Sequence, residues 1–219
     1  MKQELARTAL ILLYGFPGSG KTFFARQFCD DFKAAHVQDD RIRNELFENP
    51  RYDKQENQVV NHLMTYMAEE FLEAGVSVVF DTNAMRVSQR RKLRELARKS
   101  KARCMLIWSQ IDTETAFTRT TKRDRRKSDD KYAQEIDRAK FDAISQNMQN
   151  PEPTEDYVVI SGKHTFKTQR HMVAKKMYDI GLISPDLRDA NAVKPGMVNL
   201  VPPRSAGRVD SSRRNISIR

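Results

Sequence analysis

The sequence predicts an α/β fold, in which a mostly parallel, five-stranded sheet is flanked by helices. Two observations predict it. Five short apolar runs, each as long as a buried strand, alternate along the chain with longer segments of helical spacing. The runs are almost continuously apolar instead of alternating with polar residues, which is typical of parallel strands that are covered on both faces.

The predicted strands and the helices between them follow from these patterns. The strands are residues 8–15 (TALILLYG), 34–37 (AAHV), 76–81 (VSVVFD), 103–110 (RCMLIWSQ) and 156–161 (DYVVIS). In residues 54–74, helical spacing places four apolar side chains near one face: Val59, Leu63, Met67 and Phe71. In residues 88–100, it places three on one side and basic residues on the other: Leu93, Leu96 and Ala97.

The chain is expected to have three parts. Residues 1–162 form the strand-and-helix domain, and residues 163–183 form one more amphipathic helix that packs on it, with Gly181 placed to end the helix. Residues 184–219 are rich in proline, glycine, serine and arginine and carry few apolar side chains. Because such a segment cannot bury a core of its own, a flexible basic tail is expected.

The net charge of +10 is unevenly distributed. Residues 161–219 hold 12 basic and 4 acidic residues, so the rest of the chain is close to neutral. Residues 86–103 are a local exception, with nine basic residues against Glu95. Such a run is more often a solvated helix face than a surface that follows a nucleic-acid backbone, and both interpretations stay open.

The sequence contains no signal for export or membrane insertion. The apolar residues 9–16 lack a cleavage site and lead directly into a glycine-rich turn, and no other run approaches the ~20 apolar residues of a membrane span. Cys29 and Cys104 lie among apolar neighbours and are expected to be buried thiols. The four histidines lack metal-ligand spacing and are expected to be structural. A cytoplasmic protein without a membrane partner is therefore expected.

Residues 15–22, GFPGSGKT, match the phosphate-loop pattern G-x-x-x-x-G-K-[ST] between an apolar strand and a helix. The glycines let backbone N–H groups turn toward a β-phosphate, and the following helix adds the positive end of its dipole. Lys21 is expected to reach the β- and γ-phosphates, and the Thr22 hydroxyl to ligate Mg²⁺. The whole loop is therefore predicted to bind ATP: Gly15, Phe16, Pro17, Gly18, Ser19, Gly20, Lys21 and Thr22.

Asp81 ends the third predicted strand, in VVFDTN. An acid at the tip of a neighbouring parallel strand can support a magnesium shell, although an acid after a strand is also a common helix cap. The next residue is Thr82, where hydrolytic ATPases typically place the carboxylate that activates water. Its absence argues against a chain built to hydrolyse ATP.

Two acids follow the second predicted strand, in VQDDRIRNEL. A carboxylate at this strand tip can accept a proton from an attacking hydroxyl, and an arginine one helical turn later can bind an anionic substrate. Asp40 and Arg43 have that spacing. Asp39 can equally be the base with Asp40 as the helix cap, or both can be caps, so spacing alone leaves these alternatives open.

Arg119 and Arg123 are predicted to lie one turn apart on the helix after the fourth strand. Two guanidinium groups on one face suit the charge that builds on a γ-phosphate during transfer, whereas a solvated charge run is the alternative. Residues 121–124, TKRD, resemble the guanine-reading motif of GTPases. That motif belongs at a strand tip, so it is discounted here.

The order of these elements resembles the small P-loop kinases of the polynucleotide 5′-hydroxyl kinase and zeta-toxin type, a group of AAA-like ATP-binding proteins. The likeness covers about residues 10–151 and consists of the phosphate loop, D-x-I-R, D-T-N and R-x-x-x-R. It implies a three-layer P-loop NTPase fold. It also implies a role for each matching residue: Asp40 as base, Arg43 and Asn83 as substrate-binding groups, Asp81 as an active-site acid that supports the metal, and Arg119 with Arg123 as the lid over ATP.

The predicted function is ATP- and Mg²⁺-dependent transfer of the γ-phosphoryl group to a substrate hydroxyl, with Lys21, Asp40 and Arg123 in catalytic roles. A nucleic-acid 5′-hydroxyl is the favoured acceptor, because the nearest motif match acts there and the basic segments can follow a phosphate backbone. One alternative is a small-molecule kinase acting on a metabolite, nucleotide sugar or antibiotic. A second is an ATP-dependent nucleic-acid-binding module without kinase activity.

Overall fold

The computed structural model describes residues 2–124 and 131–184. Within these ranges five strands form one sheet of order β2-β3-β1-β4-β5: β1 Ala9–Tyr14, β2 Ala34–Gln38, β3 Ser77–Asn83, β4 Arg103–Gln110 and β5 Tyr157–Ser161. Every neighbouring pair is parallel. The predicted α/β fold is therefore confirmed, with a sheet that is wholly instead of mostly parallel.

Helices connect the strands and cover both faces of the sheet. In the described part of the chain they are α1 Lys21–Asp31, α2 Asp39–Leu46, α3 Lys54–Glu73, α4 Val87–Lys99, α5 Thr113–Thr121, α6 Arg138–Gln146 and α7 Phe166–Asp179. From the central β1 the sheet extends through β3 and β2 on one side and through β4 and β5 on the other. In such sheets the crevice at the carboxyl ends of the strands, where the order reverses, is the usual ligand site.

The central strand is buried on both faces, which explains its continuous apolar sequence. Ile11 and Leu13 face a core built with α1 and α7, while Leu10 and Leu12 face a second core built with α3 and α4. All four side chains are no more than 1% exposed. Because a parallel sheet between two helical layers has no solvated face, a polar residue in this strand would lie unsolvated.

The predicted apolar face of α3 is displaced by one residue, although two of its members, Met67 and Phe71, are partly buried against the same core. Val59 is 49% exposed, whereas Val60, Met64 and Leu72 are buried against the sheet. Both stripes have helical spacing, so periodicity alone cannot choose between them. The buried stripe begins at Glu56 in the first turn, four residues before Val60. Because Glu56 faces inward, the helix is rotated so that Val60 and not Val59 faces the sheet.

The basic run at residues 86–103 is not a continuous solvated face. Arg90 is fully buried and donates to both carboxylate oxygens of Glu155, each at 2.9 Å, and to the carbonyl of Ala84. Arg91 and Arg103 pair with Glu95 and Asp156. Leu93, Leu96 and Ala97 form the buried side of α4 as predicted.

The predicted C-terminal helix is present as α7, which contributes Val173 and Met177 to the same core as α1. Gly181 follows it with a φ of +73°, a left-handed conformation that suits glycine after a helix. The division into residues 1–162, 163–183 and 184–219 stays a prediction, and from residue 185 onward the predicted tail lies outside the described residues.

Two further expectations concern cysteines and membranes. Cys29 and Cys104 are free thiols, and burial raises the pKa of each to about 12, so they are unreactive at neutral pH. In the described ranges, no helix combines the length and apolarity that crossing a bilayer requires.

Candidate active site

The phosphate loop lies between β1 and α1, at the carboxyl end of the central strand. Gly18 has a φ of +80°, and a Cβ added there would lie 2.2 Å from the carbonyl oxygen of Ala116. A Cβ on Gly15 would lie 2.4 Å from the carbonyl oxygen of Ser109. Both positions therefore exclude any side chain, and the loop can wrap closely around a ligand.

Lys21 lies at the mouth of this loop. Its ammonium donates to the carbonyls of Gly15 at 2.9 Å and Phe16 at 2.8 Å. Burial lowers the pKa of Lys21 to about 8, and the nearby Asp81 carboxylate opposes this shift. A buried cation at the N-terminus of a helix, beside a glycine-rich loop, fits a phosphate group.

Asp81 lies beside the first turn of α1. It is the fifth residue of β3, which continues to Asn83, so the strand does not end at Asp81 as predicted. The Thr22 hydroxyl donates to its Oδ1 at 3.3 Å, and Nε2 of His36 lies 2.9 Å from its Oδ2. A hydroxyl and a carboxylate oxygen are the hard ligands that Mg²⁺ prefers.

This pair fits a magnesium ion that is held mainly by a nucleotide. Among the described residues, no group of three or more His, Cys, Asp or Glu side chains is arranged to hold a metal by the protein alone. Mg²⁺ in phosphoryl-transfer sites typically keeps one or two protein ligands and takes the rest from phosphates and water.

Asp39 and Asp40 begin α2, and their surroundings differ. Asp39 accepts from the Thr82 hydroxyl at 2.7 Å and from the backbone N–H of Asp40 at 2.6 Å, so both of its oxygens are engaged. The Asp40 carboxylate has no hydrogen-bond partner among the described residues. Burial, and then the neighbouring Asp39, raise the pKa of Asp40 to about 8.

Arg43 lies one helical turn after Asp40, as its spacing predicts, but its guanidinium is already engaged. Nη1 lies 3.3 Å from Glu56 Oε2, and Nη2 donates to Asn57 Oδ1 at 2.7 Å. The group also lies 4.5 Å from the ring centre of Tyr52. Arg43 borders the cleft, yet it is held in a buried polar network.

Asn83 lies on the other side of the loop. Its Oδ1 accepts from the backbone N–H of Gly15 at 3.3 Å, so it supports the first residue of the phosphate loop and also borders the cleft. The structure therefore places Asn83 beside the phosphate loop, and its role as a substrate-binding group stays a prediction.

The two lid arginines do not share a helix face. Arg119 lies in α5 and donates to the carbonyl of Gly162 at 2.8 Å. The helix ends at Thr121, and Arg123 lies beyond it, donating to the carbonyl of Gln134 at 2.7 Å. Both line the cleft, but the predicted i, i+4 relation on one helix is wrong because the helix stops between them.

These residues surround one cleft of about 1220 Å³. Its central part is the phosphate loop. Towards β4 and β5 it is bordered by Arg119, Gly162 and the residues that follow Gly162. Towards β3 and β2 it is bordered by the acids and by α3. A nucleotide with its β-phosphate in the loop therefore has room for its base on the β5 side and for an acceptor on the β2 side.

Sequence reasoning missed Tyr52, which borders the cleft, and also Glu56 and His36, which contact residues that border it. Glu56 reads as an ordinary first-turn acid of α3, with Asp53 as the helix cap, so only tertiary packing reveals its contact with Arg43. Tyr52 has a φ of +57°, which is unusual for a residue with a bulky side chain. His36 carried no motif, and its pairing with Asp81 depends on the packing of β2 beside β3.

An all-parallel sheet of this order, with a glycine-rich phosphate loop after its central strand, defines the class of P-loop nucleotide-binding proteins. The family model AAA_33, described as an AAA domain, matches residues 10–151, which is more than half of the chain. The chain therefore belongs to this AAA domain family. The predicted P-loop kinase class is confirmed at the level of family and fold.

Solved structures with the same fold are distant in sequence. A sugar kinase from Janibacter sp. HTCC2649 is 14% identical, with a TM-score of 0.57 over 80% of this chain and 95% of that one. Kti12 from Chaetomium thermophilum, in complex with ADP-AlF3, is 15% identical, with a TM-score of 0.60 over 80% and 100%. A gluconokinase from Sinorhizobium meliloti 1021 is 12% identical, with a TM-score of 0.58 over 82% and 95%. A search of curated proteins finds no match.

Proposed function

We propose that the protein is an ATP-dependent phosphotransferase that moves the γ-phosphoryl group to a hydroxyl of a small molecule. The observation that carries this proposal is the Asp40 carboxylate, which borders the same cleft as the phosphate loop and has no hydrogen-bond partner among the described residues. Asp39 is occupied by two donors and serves as its support. This assigns the base to Asp40.

The proposed reaction follows from these positions. The loop amides and Lys21 bind the β- and γ-phosphates. Asp40 takes the proton of the acceptor hydroxyl while the hydroxyl oxygen forms a bond to the γ-phosphorus and the bond from that phosphorus to the β,γ-bridging oxygen breaks. ADP leaves with the bridging oxygen. Arg123 and Arg119 border the transferring group and stabilise its charge.

Mg²⁺ is the implied cofactor, with Thr22 and Asp81 as the residues that would hold it. When bound, it supplies positive charge to the phosphate oxygens. His36 orients Asp81 through its 2.9 Å contact, so the carboxylate keeps one oxygen toward the Thr22 hydroxyl.

A small molecule is supported as the acceptor over a nucleic acid by the charges outside the cleft. Arg90, Arg91 and Arg103 of the basic run are each paired with an acid, and Arg90 is buried. The run therefore offers a nucleic-acid backbone fewer cations than its sequence suggests. Two proteins with a similar fold are a sugar kinase and a gluconokinase, which agrees with a small acceptor.

A nucleic-acid 5′-hydroxyl is the second candidate. It is favoured by the likeness of the D-x-I-R element to polynucleotide 5′-hydroxyl kinases and by the basic composition of residues 161–219. A binding module without kinase activity is the third candidate. Asp40 argues against it, because its carboxylate borders the same cleft as the phosphate loop and has no hydrogen-bond partner among the described residues.

The deciding experiment incubates the full chain with γ-labelled ATP, Mg²⁺ and either a metabolite panel or 5′-hydroxyl oligonucleotides. We expect label on a small molecule, and no label when Asp40→Asn replaces the wild-type protein. Label only on oligonucleotides would replace the proposal with the nucleic-acid candidate. Release of free phosphate alone, with every acceptor unlabelled, would show a hydrolase.

A further inference from the structure

We infer that the acceptor is an uncharged polyhydroxy compound, such as a sugar, a polyol or a nucleoside, without a phosphate or carboxylate beside its reacting hydroxyl. This inference rests on the proposed function and concerns the β2 side of the same cleft. It comes from the Arg43–Glu56 ion pair and from the side chains that border the acceptor space with it.

Arg43 is already matched by a carboxylate. The Arg43 and Glu56 side chains are only 5% and 3% exposed, and Nη1 of Arg43 lies 3.3 Å from Glu56 Oε2. Removing one member of such a buried pair leaves an uncompensated charge, which is why the pair resists separation. An anionic acceptor would have to compete with Glu56 for this guanidinium.

Glu56 is itself fixed in place by its neighbours. Its Oε2 accepts from the backbone N–H of Tyr52 at 2.7 Å, and its Oε1 accepts from that of Arg51 at 2.9 Å. These bonds hold the loop before α3 and keep Tyr52 in its left-handed conformation beneath the guanidinium. Because Glu56 has these additional partners, it cannot turn away to release Arg43 without breaking the start of α3.

The guanidinium of Arg43 is almost wholly buried, with its side chain 5% exposed. Its Nη1 and Nη2 each have a partner, Glu56 and Asn57, and its Nε is buried with no hydrogen-bond partner among the described residues. A bidentate grip on a phosphate needs two free, parallel N–H groups. The arrangement therefore differs from that of an arginine poised to hold an anion.

The remaining wall of the acceptor space carries carboxamides and apolar groups. Asn61 and Gln89 border it, and neither side-chain amide has a hydrogen-bond partner among the described residues. Val60, Met64 and Met85 line the same cleft. Carboxamides donate to and accept from hydroxyl groups without requiring a charge, and apolar surface packs against the C–H faces of a sugar or nucleoside.

The carboxylates of the site add to this preference. Asp39 and Asp40 lie where the acceptor hydroxyl must approach, and Coulomb repulsion from a further anion there would raise the pKa of Asp40, already about 8, still more and so lower the fraction of ionised base. An uncharged acceptor avoids both the repulsion and the competition with Glu56. Its hydroxyls can be read by Asn61 and Gln89 while one of them reaches Asp40.

Matched acceptors test this inference in the wild-type protein with saturating Mg·ATP. The pairs are a nucleoside with its 3′-phosphate and glucose with gluconate. We expect kcat/KM to be at least about tenfold higher for the uncharged member of each pair. A tenfold difference corresponds to about one charge-assisted hydrogen bond, the contact that an anionic acceptor would need from Arg43 and that Glu56 already occupies. A higher kcat/KM for the charged members would overturn the inference while the proposed function stands. Binding of ATP without transfer to any acceptor would refute the proposed function itself.

Variants of the ion pair give a second test. Glu56→Gln keeps an oxygen for the backbone N–H groups but frees the Arg43 charge, so the preference for uncharged members is expected to shift about tenfold toward the charged ones. Glu95→Gln, at an exposed acid paired with Arg91, is the matched control and should leave the ratio unchanged. An unchanged ratio in folded Glu56→Gln would contradict the inference.

A double variant keeps the inference testable if Glu56→Gln fails to fold. Arg43→Met with Glu56→Gln removes both charges together, a replacement that buried ion pairs often tolerate. We expect its KM for uncharged acceptors to stay within about threefold of the wild-type value, since Arg43 makes no contact with the acceptor in this arrangement. A rise of more than tenfold in that KM would show that Arg43 binds the acceptor.

Discussion

Asp40→Asn is predicted to remove phosphoryl transfer while leaving ATP binding intact. Asparagine has nearly the same shape but cannot accept the hydroxyl proton, and general-base catalysis contributes roughly 10²- to 10⁴-fold in rate. We therefore expect kcat to fall by about that factor. The dissociation constant for ATP, measured by calorimetry, should stay within about twofold, because the loop and Lys21 are unchanged.

The same variant should be more stable than the wild type by an amount that grows as the pH rises from about 4 to about 8. Burial and Asp39 raise the pKa of Asp40 from 3.8 to about 8, so the folded protein keeps a proton that the unfolded chain loses near pH 4. The stability from this proton is fully present below pH 4 and is lost as the pH rises through about 8. Asparagine has no such proton to lose. The difference in free energy of unfolding between Asp40→Asn and the wild type therefore grows between about pH 4 and pH 8.

The size of this advantage follows from the position of Asp40. Each pKa unit corresponds to about 1.4 kcal/mol, but Asp40 borders an open cleft, in which water offsets much of the cost of ionising it. We expect roughly 1–2 kcal/mol at pH 9, or about 3–6 °C in melting temperature for a domain of this size. The expected difference at pH 4 is zero.

Asp39→Asn is the matched control for the assignment of the base. Its amide can still accept from Thr82, so we expect a smaller loss of transfer, of about tenfold, from the disturbed start of α2. Labelled transfer and melting curves at pH 4, 7 and 9 are measured for both variants. If Asp39→Asn abolishes transfer while Asp40→Asn retains it within tenfold, Asp39 is the base and the reasoning from free and engaged oxygens is refuted.

Three other substitutions test the loop and the core. Lys21→Met should weaken ATP binding at least about tenfold in calorimetry, and unchanged affinity would remove Lys21 from the phosphate site. Gly18→Ala should abolish nucleotide binding and lower the melting temperature, because the new Cβ would lie 2.2 Å from the Ala116 carbonyl oxygen. Arg90→Met should cost about 3–5 kcal/mol in urea unfolding, since Glu155 would stay buried without its partner, and an unchanged urea midpoint would contradict this.

The sequence predicted the strands well because each depends on a short, local property. A parallel strand between two helical layers must be apolar throughout, so β1 and β4 could be located from composition alone. The rotation of α3 about its axis could not be predicted from the sequence. Two stripes of equal spacing exist in it, and the choice between Val59 and Val60 was made by Glu56, whose partners lie in another helix and in the preceding loop.

The site residues also differ in how far the local sequence predicts them. The phosphate loop was readable because its chemistry lies within eight consecutive residues, whose glycines, lysine and hydroxyl need no distant partner. The choice between Asp39 and Asp40 needed the Thr82 hydroxyl, 43 residues from Asp39 along the chain. The end of α5 before Arg123 needed the backbone itself, because nothing in RTTKRD marks a helix stop.

Arg43 shows why a motif can place a residue correctly without fixing its chemistry. The spacing D-x-I-R puts the guanidinium one turn from the base, and the structure has it there. Whether it carries usable charge depends on Glu56, 13 residues later and in a different helix. A short motif therefore predicts where a residue lies in related proteins. Whether the charge of that residue is available to a substrate depends on the side chains that pack around the motif. We therefore expect that a change at Glu56 alone, with every motif residue kept, is enough to alter the acceptor preference of this protein.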